Sequence, residues 1–243
     1  MNRWNGKVAV VTGASSGIGA SIATHLVNSG LLVVGVARRK DHLEELQKKL
    51  GEKFSAVFAD VGNEKDVFRL FSWITQNIGV VHVLVNCAGV FRPKGLLDGE
   101  TSDWVETFDT NVVGLCVVTR EAVTIMRANG VDGHIVHISG LAGHYVVPLP
   151  YMNVYSASKF GVRALTETLR QELIASGSKI KVSSVSPGFV LSEMTSGEGA
   201  ICYQDGTSIL APEDVAEAVL YVLGSPAHVQ VHELIIRPVG QIF

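Results

Sequence analysis

Short runs of apolar, β-branched residues recur along the chain at Val8–Val11, Leu31–Val36, Ser55–Phe58, Val83–Val85, Ile135–Ile138, Val182–Val185 and Leu234–Ile236. Each lacks the polar alternation of a half-solvated strand, so each reads as a strand covered on both faces. Between them lie segments of helical periodicity: Gly17–Ser29, His42–Leu50, Glu64–Asn77, Trp104–Met126, Tyr155–Ala175 and Pro212–Leu223. The last opens with "APED" at Ala211–Asp214, which sets proline in the first turn with carboxylates behind it. Strand and helix alternating in this way predict right-handed crossovers and one doubly wound parallel α/β sheet of about seven strands. No break, repeat or low-complexity tract marks a second domain, so the expectation is a single domain over residues 1–243. One stretch leaves the rhythm. Residues 191–209, "LSEMTSGEGAICYQDGTSI", are polar, glycine-bearing and weakly periodic, and are expected to form a substrate lid beyond a strand's carboxyl end.

The first strand runs into "TGASSGIG" at Thr12–Gly19, which opens a helix. Gly13, Gly17 and Gly19 leave the backbone unshielded, and the helix start offers free N–H groups and a positive dipole end. Such a turn suits a pyrophosphate. The second strand ends "VGVARRK", where binders of a free ribose 2′-hydroxyl carry a carboxylate. Ala37, Arg38 and Arg39 stand there instead. Two guanidinium forks suit a 2′-phosphate, so the cofactor expected is NADP(H) rather than NAD(H), with Ser15 adding a hydroxyl to the same phosphate.

Composition narrows the class. The chain has 243 residues, 47% of them hydrophobic and 18% charged, which supports a large core and argues against disorder. A formal net charge of −3 gives no footprint for nucleic acid or an acidic membrane. No apolar run reaches bilayer-spanning length. Three scattered cysteines, Cys87, Cys116 and Cys202, and an N-terminus that turns polar before a leader could form, point to a reducing, cytoplasmic setting. His134, His137 and His144 lie close in sequence but lack acidic or cysteine partners at ligand spacing, so no metal is expected.

In "NVYSASKFGV", Asn153 to Val162, the phenol of Tyr155 precedes the ammonium of Lys159 by one helical turn. The spacing alone fits either a surface pair or an activated phenol. Six segments in register decide between them: "TGASSGIG", "ADV" at Ala59–Val61, "NCAG" at Asn86–Gly89, "TNVVG" at Thr110–Gly114, "YSASK" at Tyr155–Lys159 and "SPGFV" at Ser186–Val190. Together they resemble the short-chain dehydrogenase/reductase family over nearly the whole chain. "MNRW", "VVGVARR" and "VQVHELIIRPVGQIF" look like its insect farnesol-dehydrogenase-like branch, itself similar to a vertebrate member acting on keto- and hydroxysteroids.

The resemblance implies that Tyr155 is the catalytic acid/base, exchanging a proton with a carbonyl or alcohol oxygen. Lys159 would favour the phenolate and hold the nicotinamide ribose, and Asn111 would hold a relaying water. It implies cofactor contacts from Gly13, Ser15, Ser16, Gly17, Ile18 and Gly19, from Arg38, Arg39, Asp60 and Val61, from Asn86, Ala88 and Gly89, and from Pro187, Gly188 and Val190. Tyr155 and Lys159 join that set.

The departure is at "HISGLAG", His137–Gly143. The family's serine position is Gly140 here, and Ser139 stands one residue earlier, facing the opposite side of an extended chain. Losing one donor to the substrate oxygen costs about 10²- to 10³-fold in rate. Three outcomes are open: Ser139 turned inward as the catalytic hydroxyl, another donor or water in its place, or impaired activity in a protein that only binds cofactor or senses ligand. Cys87, in place of the commoner asparagine, is expected to be a packing residue. Phe91, Leu141, Tyr145, Val146, Val147, Leu149, Tyr151, Phe189 and Met194 fall in loops at the sheet's carboxyl edge and suggest a greasy pocket for a prenyl or sterol-like substrate, with His144 at its border. The apolar faces of Trp104–Met126 and Tyr155–Ala175, which pair across a two-fold axis in the family, imply a homodimer or homotetramer.

Overall fold

The structure, a computed structural model, describes residues 1–149, 151–196 and 208–241, with the backbone alone at Ser196. Seven strands form one parallel sheet: β1 (Val8–Thr12), β2 (Leu32–Ala37), β3 (Phe54–Phe58), β4 (Val81–Asn86), β5 (His134–Ile138), β6 (Lys181–Pro187) and β7 (Glu233–Ile236). Their order is β3-β2-β1-β4-β5-β6-β7. Chain direction across the sheet reverses between β1 and β4, and a crevice opens beyond the strand ends at such a point.

Alternation within single strands explains the uninterrupted apolar runs. Ala9 and Val11 face one side, packing with Ile22 and Leu26 of α1 (Gly17–Asn28) and, further along the layer, with residues of the C-terminal helix; α2 (Lys40–Leu50) follows β2. Val8 and Val10 face the other, with Leu70 and Ile74 of α3 (Glu64–Asn77). Both faces of β1 are buried, so Val8–Val11 carries no solvent-facing polar position.

The periodic stretch over Trp104–Met126 is not one regular helix. α4 (Thr101–Phe108) passes into a six-residue π-helical turn, Asp109–Gly114, before α5 (Leu115–Ala128). The Asn111 side chain is held at both ends by the Val90 backbone, accepting from its N–H at 2.8 Å and donating to its carbonyl at 3.0 Å. These bonds pull the wide turn toward the loop after β4, and such a bulge marks functional sites in many helices.

α6 (Asn153–Ala175) starts two residues earlier than the periodicity predicts. Asn153 has φ of 30°, held by donation to the carbonyls of Arg92 and Lys94, each at 2.6 Å, while its oxygen accepts from the Tyr155 N–H. Of the expected lid, residues 197–207 lie outside the described residues. Its start is a single turn, α7 (Glu193–Ser196), and Val190 bridges in parallel to Leu210, just before α8 (Pro212–Gly224), which packs on α1. Among the described residues no helix is long and apolar enough to cross a membrane.

Candidate active site

A cleft of about 390 Å³ opens at the carboxyl ends of the strands. The expected cofactor residues that line it are Gly13, Ser15, Ser16, Gly17, Ile18, Gly19, Arg38, Arg39, Asp60, Val61, Ala88, Gly89, Tyr155, Lys159, Pro187, Gly188 and Val190. The turn is tight enough that a Cβ on Gly19 would overlap the Gly13 carbonyl, so the loop can close only with glycine at that place. Thr12, at the end of β1, accepts from the N–H groups of Cys87 and Ala88 at 3.1 Å each and ties the two cleft-forming segments together.

Asn86 departs from expectation. Its Nδ2 donates to Thr119 at 2.9 Å, on the α5 side of the sheet and away from the cleft. The hydroxyl of Thr119 then reaches His137 Nε2 at 3.4 Å, while His137 Nδ1 donates to Thr166 at 2.9 Å. Thr166 itself donates to the Val162 carbonyl, which fixes the direction of the chain of bonds and the tautomer of the ring. Burial pushes His137 down to about 4 and His134 down to about 3, so both rings stay neutral near pH 7. Among the described residues no three His, Cys, Asp or Glu side chains group as metal ligands would.

Tyr155 and Lys159 meet in the cleft. Lys159 is buried, donates from Nζ to the Ile138 carbonyl at 3.0 Å and lies 5.7 Å from the Tyr155 ring centre. Phe91 meets the same ring edge-on at 5.3 Å. Burial lowers the ammonium to about 8, partly opposed by Cys87, and raises the phenol to about 12. Contrary to the expectation that Lys159 favours the phenolate, the phenol stands above its ordinary value, because enclosure among apolar walls penalises its charged form and Cys87 adds to the rise. Cys87 lines the same space as a neutral thiol, raised to about 12 by burial against the pull of Lys159.

Asn111 is buried below this pair, with its amide also donating to Ser158 at 3.1 Å; its side chain contacts Val90 and Ser158 rather than Lys159. Ser139 lines the cleft, but its hydroxyl points to the Lys159 carbonyl at 3.3 Å. A hydroxyl has one proton to give, so it does not also donate to a substrate oxygen in this arrangement. Gly140 adopts φ of 147°, a region that side-chain-bearing residues avoid.

The arginines after β2 are embedded in acidic partners. Arg38 lies 3.2 Å from Glu106 and 3.9 Å from Asp60, and Glu106 is also gripped by Arg92 through bonds of 2.8 and 2.6 Å. Burial works to raise Glu106, yet the two guanidinium groups hold it below the ordinary carboxylate range. Glu106, Glu193, Thr110 and Met152 belong to the site or its immediate support and were not singled out from the sequence; their only signal was a place on elements that flank the cleft. Of the expected greasy wall, Phe91, Leu141, Val147, Leu149, Phe189 and Met194 line the cleft. Tyr145 packs behind it, Val146 and Tyr151 are exposed, and His144 turns away to Ser186 at 3.0 Å. Short loops cannot turn every apolar side chain to one side.

The donors present fit a nicotinamide dinucleotide: a glycine turn at a helix start, two guanidinium groups at the adenosine end, and an ammonium beside a phenol at the other. Comparisons agree. The profile of the family described as short chain dehydrogenase matches residues 7–200. A farnesol dehydrogenase of Aedes aegypti is 49% identical over the full length of both chains. The human dehydrogenase/reductase SDR family member 11 is 42% identical, covering all of this chain and 98% of its own. Among solved structures, the closed form of a serine dehydrogenase complexed with NADP+ superposes with a TM-score of 0.88 at 31% identity, covering 97% of this chain and 96% of that one. A family member from Burkholderia phymatum in complex with NAD superposes with a TM-score of 0.85 at 27% identity, covering 97% and 90%. With its sheet order, glycine turn and Tyr155–Lys159 pair, the chain belongs to the short chain dehydrogenase family of oxidoreductases.

Proposed function

We propose that this oxidoreductase uses NADP(H) to interconvert a lipophilic alcohol and its aldehyde or ketone. The observation that carries the reading is the convergence of Tyr155 and Lys159 on one cleft with the glycine turn and both arginines. The dinucleotide, when bound, supplies or accepts the hydride. Tyr155 holds the proton that passes to or from the substrate oxygen. Its phenol, pushed up to about 12, stays protonated at neutral pH and suits the acid role in carbonyl reduction. Lys159 contributes a positive charge that favours oxygen anions as the proton leaves, and Gly13, Gly17 and Gly19 allow the backbone to approach a pyrophosphate. The preference for a phosphorylated cofactor rests on Arg38 and Arg39 standing where a carboxylate would serve a free 2′-hydroxyl.

The apolar wall of Phe91, Leu141, Val147, Leu149, Phe189 and Met194 supports a terpenoid alcohol of the farnesol kind as the first substrate class, and a steroid or ecdysteroid ketone as the second. The farnesol dehydrogenase relative favours the former. Exposed Val105, Phe108, Val113, Phe160 and Ile174 on the segments from α4 through α6 support a homodimer or homotetramer, which light scattering tests. NADPH and NADH turnover on a panel of prenyl and steroid carbonyls tests the whole reading: activity with NADPH on a lipophilic carbonyl is expected, and none on any member of the panel would overturn it.

Gly140 and the committed hydroxyl of Ser139 favour a second reading, a protein that binds the cofactor without turning over. It predicts tight NADPH binding with no substrate-dependent oxidation, and robust turnover eliminates it.

A further inference from the structure

One arginine at the end of β2 has a partner from across the cleft. Glu193, the first residue of α7, accepts from Arg39 Nη1 at 2.7 Å and from Ser16 Oγ at 3.2 Å through the same oxygen, Oε2. Arg39 also donates to Ser15 from Nε and Nη2, at 3.2 and 3.0 Å, and to Ser16 from Nη2 at 2.5 Å. A carboxylate oxygen thus stands where a guanidinium and the loop hydroxyls converge, in a setting built for an anion. Partial burial works to raise Glu193, but Arg39, Ser16 and His42 outweigh it and keep the group ionised.

We propose that Glu193 is a specificity-determining residue of the cofactor site: its carboxylate occupies the subsite that takes the 2′-phosphate of NADP(H), and the two anions compete for Arg39. The inference rests on the cofactor reading above. A 2′-phosphate carries more negative charge than a carboxylate and three acceptor oxygens, so it displaces Glu193 at a cost equal to the lost ion pair. A dinucleotide with a free 2′-hydroxyl imposes no such exchange. Its hydroxyl is a donor, and Glu193 offers the acceptor that Ala37, Arg38 and Arg39 do not provide at the end of β2. Glu193 therefore narrows the preference for the phosphorylated cofactor that the arginines alone would set. Met194 and Thr195 follow it on the cleft wall, so the same exchange loosens the wall's tie to the adenosine end.

Calorimetric binding of NADPH and NADH to the full chain, to Glu193→Gln, to Arg39→Gln and to the double variant tests this. The pair is half-exposed on both sides, so Glu193→Gln is expected to tighten NADPH by about two- to fivefold and to leave NADH unchanged or weaker. In the Arg39→Gln background the same substitution is expected to leave the NADPH affinity unchanged. An equal shift for both cofactors, or a shift that persists without Arg39, means a diffuse charge effect and overturns the inference. So does an unchanged ratio in Glu193→Gln. The cofactor reading fails separately, on a wild-type chain that binds NADH more tightly than NADPH.

Discussion

The ammonium of Lys159 sits 5.7 Å from the centre of the Tyr155 ring while donating to the carbonyl of Ile138, so one buried cation links the helix that carries the phenol to the strand beneath it. Burial moves the two groups in opposite directions, Lys159 down to about 8 and Tyr155 up to about 12. Each neutral form is favoured because an ion loses hydration in the cleft.

The pH dependence of carbonyl reduction follows. Below about 8 the lysine is charged and the phenol protonated, which is the pair that reduction needs. As pH rises through about 8, Lys159 loses its charge while Tyr155 keeps its proton. The kcat/KM for reduction is therefore expected to be flat near neutrality and to fall above about 8. A profile for reduction that stays flat to pH 10 would contradict this assignment.

Tyr155→Phe removes the hydroxyl and keeps the ring that packs edge-on to Phe91. Turnover is expected to fall by about 10²- to 10⁴-fold, the usual contribution of a positioned acid. NADPH binding by fluorescence should be retained, which separates lost chemistry from lost structure.

The backbone at Gly140, with φ of 147°, predicts a stability cost for any side chain there. A Cβ meets nothing closer than the Pro187 carbonyl at 3.8 Å, so the cost is conformational rather than steric. Gly140→Ala and Gly140→Ser are both expected to lose about 1–3 kcal/mol in chemical denaturation. Equal losses in the two variants identify the backbone as the cause; two neutral substitutions would refute the assigned conformation.

His137 makes folding sensitive to mild acid. Its ring is held near 4 by burial, below the ordinary histidine value of 6.5, so the unfolded chain takes up a proton first as pH falls. The stability it contributes is complete above about 6.5 and is lost as pH drops toward 4, by roughly 3 kcal/mol in all. Urea unfolding at pH 7, 6 and 5 should show that decline, and a flat series would mean the ring is solvated.

How much of this was legible beforehand differs between scaffold and site. Glu64–Asn77 is a helix at the boundaries its periodicity predicts, and all seven apolar runs became strands, some extended by one to three residues. The Trp104–Met126 stretch is helical as its periodicity predicts, but the π-helical turn at Asp109–Gly114, where Asn111 reaches the Val90 backbone, rests on a long-range contact that the periodicity does not encode. The glycine turn was readable because it is local, whereas the spacing of Tyr155 and Lys159 left two readings open and only the resemblance of six segments to the family decided between them.

The chain's own order of residues determined the alternation of strand and helix, the two-sided burial of the sheet and the place of the glycine turn, since these depend on short-range spacing and on which face is apolar. Tertiary structure alone decided that Glu193 meets Arg39 across 154 residues, that Arg38 and Arg92 share Glu106, and that the Ser139 hydroxyl turns to the Lys159 carbonyl. A polar side chain spends its few hydrogen bonds on whichever partners the fold brings within about 3 Å, and those partners are distant in sequence.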